Sequence, residues 1–132
     1  MKIRQLATLS ILLALSAISF AASAATPGPC TDALQAAVNN ATITITNLEQ
    51  GNGTEALVNA AGMNANEVGA QAICTAADLP NVIQITLDIT TSIGENAATA
   101  SLITLGDYPL AIVYLNGQIA VLNNAIALAD GK

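Results

Sequence analysis

From Cys30 onward, apolar residues return at steps of three and four, and clusters of glycine, asparagine and proline punctuate the rhythm. Between Thr31 and Gln50, the residues Leu34, Val38, Ala41, Ile45 and Leu48 share one helical face, and Gly51 supplies a stop. The same stretch holds Thr42-Ile43-Thr44-Ile45-Thr46, whose β-branched alternation also fits a short strand. Gly51-Asn52-Gly53 reads as a turn, with Thr54 as N-cap and Glu55 as a dipole-compatible acid for a helix to Ala61. Gly62 predicts a break, after which Asn64 or Asn66 opens a short helix through Val68 and Ile73 to Cys74.

Asp78-Leu79-Pro80 restarts the chain, Asp78 as a cap and Pro80 in a first helical turn. Beyond it Val82, Ile85, Ile89 and Ser92 form one stripe and Ile83, Leu87 and Thr90 another, a pattern that suits a central helix. An extended reading would place Ile85, Leu87 and Ile89 on one strand face. Gly94 is expected to close this element, Asn96 to cap a helix to Leu105, and Gly106-Asp107 to punctuate once more. The segment Tyr108 to Ala129 is the clearest helix, with Tyr108, Ile112, Leu115, Ile119, Leu122 and Ile126 in four-three alternation. A second stripe, Leu110, Tyr114, Val121 and Leu128, lies on roughly the other side and is the candidate interface. The sum predicts an all-α bundle of four to five helices in one domain, 30–132, with short β segments around 42–46 and 85–89 as the alternative. A shift of 44 positions also aligns Cys30, Thr31, Ala33, Val38, Thr42, Ile45 and Thr46 with Cys74, Thr75, Ala77, Val82, Thr86, Ile89 and Thr90. Chance in an Ala/Thr/Ile-rich chain and an old duplication both explain it.

The N-terminus has a different grammar. Lys2 and Arg4 precede an apolar run from Leu6 to Phe20 and the small residues Ala22-Ser23-Ala24, the pattern of a cleavable secretory leader over 1–24. A stiff Pro/Gly stretch, 25–29, follows it. The expected destination is therefore outside the cytoplasm, periplasmic or extracellular.

Charge changes the picture more than hydropathy does. The chain is 53% hydrophobic and 9% charged, with a formal net charge of −6. Without the leader, nine carboxylates face a single Lys132 and the charge becomes −8, with no arginine or histidine left. A surface so poor in cations repels phosphate backbones, which excludes nucleic acid as an expected partner. Only Tyr108 and Tyr114 remain as aromatics, so the core must be aliphatic and rich in alanine. Such small side chains gain less free energy per buried residue. Export favours a disulfide between Cys30 and Cys74, which would offset this with roughly 4 kcal/mol for a loop of about 45 residues.

Candidate chemistry is sparse. Without histidine there is no Ser-His or Cys-His pair, and without arginine no bidentate anion clamp. The scattered acids read as solvated surface groups, so no catalytic residue and no cofactor is expected. Glu49-Gln50-Gly51-Asn52-Gly53-Thr54-Glu55 is rich in oxygen ligands but lacks the acid spacing of a calcium loop, and an ordinary turn is the simpler reading. Asn40 and Asn52 fit the glycosylation acceptor pattern, relevant only in a eukaryote. Leu110 to Ala129 is long enough to span a bilayer, yet Asn116, Gln118, Asn123 and Asn124 would each need a partner in lipid, so no span is expected.

The two-cysteine helical layout resembles that of small periplasmic acid-stress chaperones with one disulfide near the helix ends. The likeness covers Cys30, the Ile73-Cys74-Thr75 neighbourhood and the loop length between them. The long C-terminal helix and the scarcity of basic residues depart from that pattern. Two functional expectations result. The first is a secreted, non-enzymatic interaction or structural protein that self-associates or binds another exported protein through an apolar face of its last helix. The second is a carrier or chaperone for apolar ligands or unfolded clients.

Overall fold

Four helices follow one another in the computed structural model, which describes residues 28–131: α1 (Pro29–Glu49), α2 (Gly53–Ala76), α3 (Val82–Thr104) and α4 (Tyr108–Ala129). The leader assigned to 1–24, and the 25–29 stretch as far as Pro27, lie outside the described residues. The connections 50–52, 77–81 and 105–107 are too short for anything but antiparallel neighbours, so the chain runs up and down. Each helix packs on two others in a ring, with α4 closing back on α1. The result is an all-α four-helix bundle, and among the described residues none is in a strand.

The threonines that suggested a strand at 42–46 sit comfortably in α1. The hydroxyls of Thr42, Thr44 and Thr46 donate to the carbonyls of Val38, Asn40 and Thr42, four residues back, at 3.0, 2.7 and 3.2 Å. Residues 85–89 are likewise helical within α3. Gly62 and Gly94 do not interrupt their helices, so the segments expected on either side of each glycine are continuous in α2 and α3. A mid-helix glycine costs about 1 kcal/mol against alanine, which tertiary packing of a long helix outweighs.

The true stops are glycines with positive φ. Gly51 (φ 74°) and Gly106 (φ 83°) end α1 and α3 in the same way. The Gly51 amide donates to the Leu48 carbonyl and the Asn52 amide to that of Asn47; Gly106 and Asp107 repeat this onto Ile103 and Leu102. Asn52 and Asp107 then cap the next helix, accepting from the amides of Glu55 and Leu110. Asn52, not Thr54, is thus the cap of α2, and the oxygen-rich 49–55 segment is an interhelical turn. The α2–α3 connection is built otherwise. Asp78 lies just past α2 with φ 54° instead of capping α3, which begins after Asn81 and two residues beyond Pro80.

The 44-residue echo does not relate equivalent places, since it maps the start of α1 onto the end of α2. A shift of 55 positions, Gly51 to Gly106, does so. It carries the α1 core positions Leu34, Ala37, Ala41, Thr44 and Leu48 onto Ile89, Ser92, Asn96, Thr99 and Ile103 of α3. It also carries Ala56, Met63, Glu67 and Ala70 of α2 onto Ala111, Gln118, Leu122 and Ala125 of α4. The bundle is two similar helical hairpins laid together. Cys30 in the first turn of α1 and Cys74 in the last of α2 are joined, with Cα atoms 4.6 Å apart, and staple the open end of the first hairpin.

Candidate functional site

The core of α4 is centred on Ala111, Leu115, Gln118, Leu122 and Ala125. Of the two stripes read from the sequence, the first supplies Leu115 and Leu122 to this face, and the remaining members of both flank it. Tyr108, Ile112, Ile119 and Ile126 of the first pack half-buried against the core, and so does Leu128 of the second. Of the remaining candidate interface residues, Tyr114 and Val121 are half-buried and Leu110 is exposed. The other exposed apolar groups nearby are Val113 at 63% and Leu105 at 80%, both beside the α3–α4 turn. No charged residue occurs anywhere in α4, so its outer face is apolar or amide-bearing throughout.

The middle of the bundle holds a polar cluster that the sequence reading did not foresee. On α2, Glu67 lies four residues after Met63 and seven before Cys74, in register with the core, and it is completely buried. Its carboxyl accepts from the Ser92 hydroxyl and, at 2.7 Å, from the Asn96 amide. That amide also donates to Asn64 Oδ1 at 2.6 Å. From α4, the buried Gln118 amide donates to Asn96 Oδ1 at 2.6 Å and to the Ser92 carbonyl at 2.8 Å. Gln118 Oε1 accepts from Thr99, whose hydroxyl also donates to the Glu95 carbonyl. Three helices are thereby tied across the divide between the hairpins.

Among the described residues Glu67 has no cationic partner, because residues 28–131 contain no lysine, arginine or histidine. Burial pushes its carboxyl above the ordinary carboxylate range, bonds from Ser92 and Asn96 oppose that, and the neighbouring Glu95 charge adds to it. The expectation of uniformly solvated acids is therefore corrected at this one position. Ser92 and Glu67 are both sealed from solvent, so the pair presents no nucleophile to a substrate. No group of three or more His, Cys, Asp or Glu side chains able to hold a metal occurs among the described residues.

Beside the cluster, the α2–α3 seam opens into a groove of about 370 Å³. Ala60, Ala61, Ala97 and Ala100 keep it wide, Leu57 and Ile93 make it apolar, and Asn64 and Asn96 form its polar end. No protein-family model, curated protein or solved structure matches the chain. The small residues and alternating apolar positions were legible beforehand. Glu67, Asn96 and Gln118 were not recognised as a cluster, although all three fall on core-facing helical positions.

Proposed function

We propose that this is an exported, non-enzymatic interaction protein that self-associates through the outer face of α4 and the adjoining α3–α4 turn. The observation that carries the reading is the absence of charge along the 22 residues of α4 together with exposed Leu105, Leu110 and Val113. Contiguous exposed apolar groups mark association surfaces on soluble proteins. An acidic chain repels its own copies in general, yet the α4 faces themselves carry no carboxylate, and Asp107 in the adjoining turn only borders them. Sedimentation equilibrium of the oxidised chain, with Val113→Lys and Leu110→Lys variants, tests this. The expected result is a concentration-dependent oligomer that either variant returns to monomer with unchanged helicity. A monomer at every concentration overturns it.

The α2–α3 groove favours a second reading, a carrier of apolar ligands. Its small residues leave room for an aliphatic chain, and Asn64 with Asn96 offers a place for a polar head. Native mass spectrometry of the purified protein discriminates: a lipid-sized adduct lost on Ala97→Leu supports the carrier, and a bare mass counts against it.

A further inference from the structure

Glu67 is the buried group to which the interaction reading gives no task. We infer that it is a proton-operated latch between the two hairpins: with its carboxyl neutral the α2–α3 seam is closed, and loss of the proton parts α2 from α3 and deepens the groove beside them. A neutral carboxyl can exchange hydrogen bonds with Ser92 and Asn96, whereas a carboxylate there is a buried charge with no counter-charge among the described residues.

The surroundings offer no relief. On α3 the nearest ionisable group is Glu95, of the same sign. The whole of α4 is uncharged, the other acid of α2, Glu55, is exposed three turns away, and Asp32 and Glu49 lie exposed at the two ends of α1. Burial therefore holds the folded-state pKa above the unfolded one. The stabilisation this gives is complete below the unfolded carboxylate pKa and is lost as pH rises through the folded value. That is opposite in sign to ordinary acid unfolding.

The strain has one soft outlet. The first hairpin cannot splay, because Cys30 and Cys74 join α1 to α2. The second is closed by the Gly106 turn and by Asn124 donating to Asp88 at 2.7 Å. Of the two seams between the hairpins, α2–α3 is the one that Glu67 bridges to Ser92 and Asn96, and outside the core it is held by the 77–81 connection and the Gln71–Thr90 hydrogen bond. It already contains the groove, and Glu67, Asn64, Ser92 and Asn96 all face across it.

Two measurements on the oxidised protein test the latch. Carbon-13 NMR of the side-chain carboxyls should find Glu67 titrating above the ordinary carboxylate range. Amide hydrogen exchange, corrected for intrinsic rates, should show opening of α2 and α3 amides along the groove rising by up to about tenfold per pH unit between the ordinary carboxylate range and that midpoint, and levelling off above it. Glu67→Gln should abolish the pH dependence. An ordinary Glu67 midpoint overturns the proposal. So does an identical pH response in wild type and variant, or opening that includes α1 and α4 equally, since that is global unfolding. Should Glu67→Gln not fold, the wild-type titration and the location of the exchange decide.

Discussion

Gln118 shows how much one side chain can hold in a core this light. Its amide donates to the Ser92 carbonyl and to Asn96 Oδ1, and its carbonyl accepts from Thr99, while the residue is fully buried. The Ser92 carbonyl and the Thr99 hydroxyl keep other routes to a partner, the latter through Glu95. Asn96 Oδ1 is half-buried at the edge of the groove, within reach of solvent. Gln118→Leu conserves approximate volume and removes the bonds that tie α4 to Ser92, Asn96 and Thr99. A hydrogen bond contributes about 0.5–1.5 kcal/mol net, so we expect a loss of roughly 2 kcal/mol in urea unfolding. A change below about 0.5 kcal/mol would mean the network is decorative, since that is the scale of a neutral surface substitution.

At the scale of elements, the helices were readable and their ends only partly so. The three-four rhythm located α1 and α4 within a residue or two of their observed bounds. The breaks predicted at Gly62 and Gly94 failed for a reason visible in the chain. The glycines that do stop a helix, Gly51 and Gly106, are followed at once by a capping residue, Asn52 or Asp107, and Gly62 and Gly94 are followed by Met63 and Glu95. A glycine in mid-helix lowers stability without offering an alternative end. The α2–α3 connection lacks any such glycine, and Asp78 takes the left-handed conformation in its place. L-residues pay about 1 kcal/mol or more there, asparagine and aspartate somewhat less. Asp78→Gly should therefore raise stability by about 0.5–1 kcal/mol, read as an increased urea midpoint with unchanged slope. No gain, or a loss, would show that the Asp78 carboxylate stabilises the turn by more than its backbone costs.

For the molecule as a whole, the two hairpins share a pattern of core positions but not of contents. Under the 55-position relation from Gly51 to Gly106, Ala37, Ala41 and Met63 of the first hairpin correspond to Ser92, Asn96 and Gln118 of the second. The sequence reading, which followed apolar residues, could trace the shared pattern of positions and pass over the polar ones that occupy it. The first hairpin compensates for its many alanines with a covalent staple, and the second relies on the polar cluster to hold it against the first. The disulfide closes a loop of 44 residues' separation, for which the chain-entropy model gives about 4 kcal/mol. Domains of this size are stable by roughly 5–15 kcal/mol, so its loss should weaken the bundle severely without unfolding it outright at 25 °C. Cys30→Ala with Cys74→Ala should lower the urea midpoint accordingly, and hydrogen exchange should rise first at the open end, around Leu34 and Ala70. If the loss were spread evenly over all four helices, the staple would act only on the unfolded chain. If there were no loss, the aliphatic core would suffice alone, and the partition of the bundle into a stapled and an unstapled hairpin would fail with it.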